Sequence, residues 1–266
     1  MINTHIQWAE HTWNPWMGCE RMSAGCDFCY MHRMMEKAGK NGSKVWRTAP
    51  KTFNSPYSYP AGNRVFSCSM SDFFIEEADP WRDDAWEIIK NTPKLQYLLL
   101  TKRVGRIKHC LPKDWGTNGY SNVNLGTSIE DQSVINRMVI LSKLKNANSV
   151  FKLFISAEPL IGELDFKATQ KLIDAFQKMD WIIVGGESGN APVGTPNVQY
   201  CYRPCDLNWI DKIILDCKSY NIPFFLKQVG NHLARKYKLK DIKVEKLLNG
   251  IKIIKSDNGH GSIISY

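Results

Sequence analysis

Three cysteines near the start of the chain have the spacing of metal ligands. Cys19, Cys26 and Cys29 follow the pattern C-x6-C-x2-C, and Gly25 stands directly before the second cysteine. Two thiolates three residues apart, joined to a third by a short loop that contains a glycine, are able to converge on one metal centre. The spacing therefore predicts a metal site whose protein ligands are Cys19, Cys26 and Cys29.

Three protein ligands suit two kinds of metal centre. A catalytic zinc ion keeps its fourth position for water, whereas a four-iron four-sulfur cluster on three thiolates leaves one iron free for a non-protein ligand. His32 follows Cys29 by three residues and would complete a Cys3His zinc site. We take the iron–sulfur cluster as the leading interpretation and zinc as its alternative. Cys68, Cys110 and Cys217 fall in or beside apolar segments and are expected in the core.

A cluster with an open iron would serve radical chemistry. S-adenosylmethionine chelates such an iron through its amino and carboxylate groups, and an electron from the cluster then cleaves it. The protein must hold the carboxylate, the ribose and the adenine of that cofactor. An electron donor of the reductase or flavodoxin type is expected as a partner. Basic, hydroxyl and carboxylate side chains should therefore lie beside the three cysteines.

Short apolar segments recur along the chain and predict the strands that hold this site. They are rich in β-branched or aromatic residues, as strands buried on both faces should be. With a first strand near residues 6–12, they comprise residues 65–68, 97–101, 123–127, 152–156, 181–185 and 222–227. Amphipathic helical spacing lies between them, which indicates a parallel sheet with right-handed crossovers. We predict an α/β fold, a partial or complete (β/α) barrel of six to seven strands within residues 1–230.

Polar and charged residues follow the predicted strands directly, at the end where parallel barrels carry their chemistry. Helix capping is an equal explanation for Thr127, Asp131 and Ser188. Capping does not account for lysine, arginine and glutamate after buried strands. We therefore predict a cofactor site, with no catalytic residue assigned, that is formed by Ser69, Ser71, Asp72, Lys102, Arg103, Ser128, Glu158 and Glu187.

The charge balance favours a polyanionic partner. The chain has 35 Lys and Arg against 26 Asp and Glu, a formal net charge of +9. A basic protein attracts nucleotides and nucleic acids. Trp13, Trp16, Phe28 and Tyr30 flank the cysteines and would stack on bases, with core packing as the alternative for these rings. A nucleotide or nucleic acid is thus the first candidate for the substrate.

The two ends of the chain and its hydropathy complete the prediction. Residues 231–266 are rich in lysine and are expected to form a small basic extension that packs on the barrel. No apolar run reaches the roughly 18 residues that span a bilayer. The first residues lack the basic and apolar regions of a signal peptide. These features predict a cytoplasmic protein without a membrane partner.

The motifs at these positions resemble those of a known family, the phage-associated radical-SAM-like proteins named for their three-cysteine motif. The similar stretches are residues 13–19, 25–30, 69–74, 99–103, 125–128, 156–160, 185–189, 203–204 and 223–228. The resemblance covers nearly the whole chain. It implies a radical-SAM-type barrel, a cluster on the three cysteines, and a phage or mobile element in a bacterial host. The function of that family has long been unassigned.

Two features depart from common radical SAM enzymes. Their usual spacing is C-x3-C-x2-C, and a Gly-Gly-Glu motif usually follows the second strand, where this chain has residues 69–72 instead. By analogy, the end of the second strand would face the methionine part of the cofactor, and strands four to six its ribose and adenine. The resulting hypothesis is a radical SAM enzyme that abstracts hydrogen from its substrate. The alternatives are a zinc-dependent hydrolase or deaminase, and a non-enzymatic nucleic-acid-binding phage protein with a structural metal.

Overall fold

Seven parallel strands form a curled sheet, which makes a half-barrel. The computed structural model describes residues 8–237, Thr4, Ile6, and residues 253–255 and 262–264. In chain order, its strands are β1 (His11–Trp13), β2 (Trp16–Met17), β3 (Trp46–Arg47), β4 (Arg64–Ser67), β5 (Gln96–Thr101), β6 (Val123–Ser128), β7 (Lys152–Leu160), β8 (Trp181–Gly186), β9 (Ala191–Pro192), β10 (Cys201–Tyr202), β11 (Phe224–Gln228), β12 (Ile253–Lys255) and β13 (Ser262–Ile264).

The parallel strands follow one another in chain order, β1-β4-β5-β6-β7-β8-β11, as they do in a (β/α) barrel. At the far edge, β13 and then β12 continue the sheet in antiparallel pairing beyond β11. Within the described residues, β1 and β11 do not pair with each other, so the sheet stays open. The predicted α/β fold with a partial barrel of six to seven strands is confirmed.

Helices cover the outer face of the sheet. They are α1 (Tyr30–Lys37), α2 (Pro50–Phe53), α3 (Asp79–Asn91), α4 (Ile107–Cys110), α5 (Asn136–Ser142), α6 (Gln170–Phe176), α7 (Leu207–Ser219) and α8 (Gly230–Lys236). The longest ones bury an apolar stripe, and α7 begins after Asp206, whose carboxylate accepts a hydrogen bond from the Asn208 amide at 2.9 Å. None of the helices in the described part of the chain has the length and apolar character needed to cross a membrane.

Strand β1 begins later than the sequence predicts. The Ala9 amide donates to the Ile6 carbonyl at 3.2 Å, so the chain makes a turn before it enters the sheet. The Glu10 amide then bonds to the Arg64 carbonyl at 3.1 Å, and pairing with β4 starts at His11. The predicted strand near residues 6–12 is therefore wrong in its first half, because the backbone forms a turn there and pairs with β4 only after it.

The inside of the half-barrel is filled by apolar side chains. Successive side chains of a strand point to opposite faces, so one set packs beneath the helices. The other set forms an inner cluster with two residues that precede β1: Trp8, Ala9, Phe66, Leu98, Phe154, Ile183 and Phe225. Gly126 makes room for this cluster, because a Cβ atom there would lie 2.3 Å from Cζ of Phe154. We call the cluster the inner plug.

The predicted basic extension, residues 231–266, falls largely outside the described residues. Within it, the structure describes most of α8, followed by β12 and β13. These two strands pair with each other, and β13 pairs with β11 from Phe224 to Leu226. The division of the chain into residues 1–230 and 231–266 stays a prediction.

Candidate metal and cofactor site

The three predicted metal ligands lie on one loop at the C-terminal end of the parallel strands. This cysteine loop, residues 19–29, lies between β2 and α1. It contains a single turn of 3-10 helix, Ala24–Cys26. The Cys26 amide bonds to the Ser23 carbonyl at 2.8 Å, and the Cys29 amide bonds to the Cys26 carbonyl at 3.3 Å. These successive turns bring Cys26 and Cys29 to the start of α1.

Exposure separates the three loop cysteines from the other five. Cys19, Cys26 and Cys29 are partly exposed and none of them is in a disulfide, whereas the remaining cysteines are buried. The prediction that Cys68, Cys110 and Cys217 are core residues is confirmed: their exposed fractions are 4%, 8% and 0%. Only the loop cysteines are therefore accessible to a metal ion or cluster from outside the core.

Two cations from the end of β5 lie beside the loop thiols. The Arg103 Nη1 atom is 3.7 Å from the Cys19 Sγ atom. Lys102 interacts electrostatically with Cys26 and Cys29, as well as with its ion-pair partner Glu130. A thiolate-bound iron–sulfur cluster is anionic, so neighbouring cations stabilise it.

Burial holds the Cys19 thiol in its protonated form when no metal is present. Burial raises its pKa to about 12, the nearby Asp72 carboxylate adds to the rise, and Arg103 opposes it. A metal must displace this proton before Cys19 becomes a ligand.

Ligand chemistry, and not a preformed arrangement, supports the metal site. Across residues 8–237, no group of three or more His, Cys, Asp and Glu side chains is arranged to hold a metal ion. The donor set still fits an iron–sulfur cluster, because three partly exposed thiols share one loop, Arg103 contacts Cys19, and the charge of Lys102 acts on Cys26 and Cys29. His32, the extra ligand of the zinc alternative, lines a cleft together with Cys29.

Four of the predicted cofactor residues occupy inward-facing positions above the inner plug. Lys102, Ser128, Glu158 and Glu187 continue the alternation of β5, β6, β7 and β8 beyond the apolar residues of the same face. Glu158 pairs with Lys227 of β11 at 2.5 Å. A Cβ atom at Gly185 would come within 3.1 Å of the Glu158 carboxyl, so the glycine leaves space for that side chain. The structure therefore brings these residues to one end of the half-barrel.

The predicted residues after β4 lie against the cysteine loop. The Ser69 hydroxyl accepts a hydrogen bond from Asn14 Nδ2 at 3.1 Å, and the Ser71 hydroxyl donates to the Gly18 carbonyl, next to Cys19. Asp72 is buried and accepts hydrogen bonds from residues 74 and 101–103. In this structure, Asp72 fixes the end of β5; its contact with a cofactor stays a prediction.

Glu187 is likewise engaged by the protein. Its carboxylate, 5% exposed, accepts from the Arg203 backbone amide and from Arg203 Nε, each at 2.8 Å. Arg203 Nη2 donates to the second oxygen of Glu187 at 2.5 Å. Arg203 was not among the predicted site residues. Because its partners lie far away along the chain, no local pattern indicates this contact.

Glu130 is a second site residue absent from the predicted set. It is 1% exposed, and its carboxylate accepts from the Ser23 hydroxyl and from Arg137 Nη1, both at 2.8 Å. Lys102 Nζ lies 3.4 Å from the same carboxylate. A sequence signal for it exists: Glu130 continues the inward alternation of β6 two residues after Ser128.

Helix capping was the alternative explanation for Thr127, Asp131 and Ser188, and it holds for Asp131 alone. The Asp131 carboxylate accepts from the Ser133 amide at 2.8 Å and caps the 3-10 turn Gln132–Val134. The Thr127 hydroxyl of β6 instead donates to the Thr101 carbonyl of the neighbouring strand β5 at 2.9 Å. The Ser188 hydroxyl pairs with the Tyr200 hydroxyl at 3.1 Å.

The aromatic residues near the cysteines divide into two groups. Trp13 and Trp16 are fully buried, and their indole N–H groups donate to the carbonyls of Phe53 and Asp72 at 2.9 and 3.0 Å. The prediction that these two rings stack on bases is therefore wrong. Phe28 lines a cleft, and Tyr30 is 42% exposed while its hydroxyl donates to the Ser69 carbonyl.

Two clefts flank the cysteine loop. The narrower cleft, about 500 Å³, lies on the side of Cys19 and is lined by Glu20, Met22, Glu76, Glu77, Lys102, Arg103, Val104, Gly105 and Arg106. The wider cleft, about 1020 Å³, lies on the side of Cys29 and is lined by Arg21, Asp27, Phe28, Cys29, His32, Arg33, Glu36, Lys37, Asn190, Asn197, Val198, Gln199 and Tyr200. Of the two, the wider cleft is the one that a loop cysteine, Cys29, lines directly.

Comparison with known proteins places the chain in one family. No curated protein matches the chain, and no solved structure matches it. A family model does match, over residues 3–256, which is nearly the full length. The chain therefore belongs to the family described as protein of unknown function DUF5131.

Proposed function

We propose that the protein is a radical S-adenosylmethionine enzyme whose four-iron four-sulfur cluster is held by Cys19, Cys26 and Cys29. The observation that carries this proposal is one loop with three accessible thiols, placed beside Lys102 and Arg103 at the C-terminal ends of a seven-stranded parallel half-barrel. When bound, the cluster would supply the electron that cleaves S-adenosylmethionine into methionine and a 5′-deoxyadenosyl radical. An electron donor of the reductase or flavodoxin type is needed to reduce it.

Residues at the strand ends would hold the cofactor. Lys102 and Arg103 supply positive charge for its carboxylate, since both lie beside the thiols. The hydroxyls of Ser69, Ser71 and Ser128 supply hydrogen-bond donors and acceptors next to the loop. Glu158, at the inward end of β7, supplies an acceptor for the amino or ribose hydroxyl groups.

Asp72 and Glu187 have a supporting part in this proposal. Their carboxylates are already bonded to protein donors, Asp72 to Arg103 and Glu187 to Arg203. Each of them therefore orients an arginine next to the cysteine loop.

The inner plug closes the half-barrel below these groups and keeps water away from the radical.

The wider cleft is the proposed substrate site, and a nucleotide or nucleic acid is the proposed substrate. It opens beside Cys29 and presents the ring of Phe28 for stacking on a base. Its cations suit phosphates and its amides suit the edges of bases, and these side chains are Arg21, Arg33, Lys37, Asn190, Asn197 and Gln199. The net charge of +9 adds a long-range attraction for such polyanions.

Cofactor cleavage tests the proposed reaction. The full chain is reconstituted anaerobically with iron and sulfide, then given S-adenosylmethionine and a chemical reductant, and 5′-deoxyadenosine is measured by chromatography. We expect the wild-type chain to form 5′-deoxyadenosine and Cys29→Ala to form none. Cys110→Ala, which removes a buried thiol outside the loop, serves as the matched control and should retain the activity. Iron-loaded wild-type protein that releases no 5′-deoxyadenosine would contradict the proposal.

A further inference from the structure

We infer that Arg203 is a positioning residue, which fastens the cysteine loop to the end of β8 through Glu187. The loop and Arg203 are far apart in the chain, because the Arg203–Ala24 contact spans 179 residues. Glu187 follows β8 by one residue and lies between them in sequence. The contact therefore joins the loop that follows the first strands of the chain to the end of β8, the sixth of the seven parallel strands.

The Arg203 guanidinium bridges two sets of acceptors. On one side it binds both oxygens of Glu187, through Nε at 2.8 Å and Nη2 at 2.5 Å. On the other side, Nη2 donates to the Ala24 carbonyl at 2.9 Å and Nη1 donates to the Asp27 carboxylate at 3.2 Å. The guanidinium carbon also lies 5.2 Å from the centre of the Phe28 ring. Arg203 thus contacts the loop on both sides of Cys26, two residues before it and one residue after it.

Burial makes this bridge rigid. Glu187 is 5% exposed, and Arg203 is its ion-pair partner among the described residues. Moving Arg203 away would leave a buried carboxylate without its counter-charge, which is costly. Only a planar, five-donor guanidinium matches this set of acceptors, so a lysine at residue 203 cannot replace it.

A second buried carboxylate holds the other side of the loop. Glu130, after β6, accepts from the Ser23 hydroxyl at 2.8 Å. A Cβ atom at Gly25 would lie 2.4 Å from Cγ of Glu130, so the loop backbone packs directly on this side chain. Residues 23–27 are therefore held at two strand ends at once.

This arrangement gives a physical reason for the long C-x6-C spacing. Ser23 and Ala24, which make the contacts to Glu130 and Arg203, lie within the six residues between Cys19 and Cys26. A loop with three intervening residues would have fewer residues with which to reach both strand ends. The extra residues thus fix the backbone that carries Cys26 and Cys29, so that fewer loop conformations have to be given up when the thiols turn toward a metal.

The test compares the full chain with two variants, Arg203→Lys and Glu187→Gln. Hydrogen exchange of the peptide that covers residues 20–30, and the rate at which a thiol reagent alkylates Cys26 and Cys29, are measured in metal-free protein. We expect both rates to rise several-fold in each variant, because the loop opens more often when it is no longer fastened. The melting temperature reports separately whether the fold is retained.

Arg64 and Glu10 provide a matched control. Their pairing has the same form, since the Arg64 backbone amide and guanidinium both bind the Glu10 carboxylate, each at 2.7 Å. The pair lies at the start of β4, the opposite end of the sheet from the cysteine loop. Arg64→Lys and Glu10→Gln should leave the exchange of residues 20–30 and the alkylation rates unchanged.

Clear results would overturn the inference. Arg203→Lys with wild-type exchange and alkylation rates would do so, and so would control variants that raise these rates equally. If neither bridge variant folds, Asp27→Ala removes a single contact at an exposed residue, and we expect a smaller rise in the same direction. Wild-type rates in that variant would again contradict the bridge.

The step from loop position to metal binding rests on the proposed function. After anaerobic reconstitution, Arg203→Lys should retain less iron per chain than the wild type, and the electron paramagnetic resonance signal of its reduced cluster should change shape. Wild-type protein that binds no iron would overturn the proposed function. The exchange and alkylation rates of the metal-free variants would still decide whether Arg203 fastens the loop.

Discussion

Asp72 lies where the ends of β4 and β5 meet the cysteine loop. Its buried carboxylate accepts from the Phe74 amide at 2.9 Å, the Thr101 hydroxyl at 2.7 Å, the Lys102 amide at 3.1 Å and Arg103 Nη1 at 3.3 Å. Arg103 is thereby held against the Cys19 thiol. One carboxylate therefore determines how the two cations of β5 approach the predicted metal ligands.

Replacing Asp72 by asparagine should destabilise the protein. The amide NH2 group of the asparagine would face hydrogen-bond donors that now bind a carboxylate oxygen, and Arg103 would lose its counter-charge. We expect Asp72→Asn to lower the free energy of unfolding by about 2–4 kcal/mol, measured by urea denaturation. Asp84→Asn, which breaks an exposed pair with Arg47, is the control and should change it by less than about 1 kcal/mol. Equal effects of the two substitutions would argue against a special role for Asp72.

Secondary-structure elements could be predicted well wherever burial on both faces makes a strand apolar throughout. Six of the seven parallel strands, all except β1, follow from apolar segments, because the inner plug and the outer helices cover the two faces of the sheet. The start of β1 could not be predicted, since it depends on a backbone turn between Ile6 and Ala9.

The site was predictable to the extent that it depends on strand alternation. Lys102, Ser128 and Glu158 follow from position alone, and Glu130 could have been found in the same way. The contacts of Arg203 could not, because Glu187 is 16 residues and Ala24 is 179 residues away from it in sequence. Burial of Trp13 and Trp16 was also hidden, since a tryptophan near a motif suits stacking and core packing equally.

Strand β1 carries a histidine that should make stability depend on pH. His11 is 3% exposed, stacks on Tyr59 with 4.1 Å between ring centres, and its Nε2 atom lies 2.9 Å from Asn63 Nδ2. An amide nitrogen donates, so Nε2 accepts and the ring is neutral. Burial lowers the pKa of His11 below its ordinary value of 6.5.

The sign of the effect follows from linkage. Below pH 6.5 the unfolded chain binds a proton at residue 11 more readily than the folded chain does, so the free energy of unfolding falls as the pH decreases through this value. We expect His11→Gln, which cannot be protonated, to show a shallower decrease in urea denaturation at a series of pH values. If the two proteins gave parallel curves, His11 would have the same pKa in the folded and the unfolded chain, and the prediction would be contradicted.

At the scale of the whole molecule, the proposed function requires the net charge of +9 and the wider cleft to act together on a polyanion. The cleft is formed by residues 21–37 and residues 190–200, which no single sequence window contains. Its position beside Cys29 would place a bound nucleotide next to the proposed radical chemistry. In the proposed function, the charge would attract the ligand from a distance, and the cleft would decide where it binds.

Salt titration tests whether the wider cleft, and not the net charge alone, binds the polyanion. The affinity of the full chain for a fluorescent single-stranded oligonucleotide should fall steeply with salt concentration, because phosphate contacts release counterions. Lys37→Ala, in the cleft, should weaken binding and reduce the slope of log affinity against log salt by about 1. Lys51→Ala, at an exposed residue of α2, should leave both nearly unchanged. Identical losses for the two variants would show that the cleft does not bind the ligand.

Metal content tests the central claim, that Cys19, Cys26 and Cys29 together hold an iron–sulfur cluster. Iron, zinc and acid-labile sulfide are measured in the anaerobically purified full chain, with a visible absorption spectrum of the same sample. We expect a brown protein with about four iron and four sulfide per chain, and loss of both after substitution of any of the three cysteines by serine, but not in Cys110→Ala. A colourless protein with about one zinc per chain, or iron that survives all three substitutions, would contradict the account.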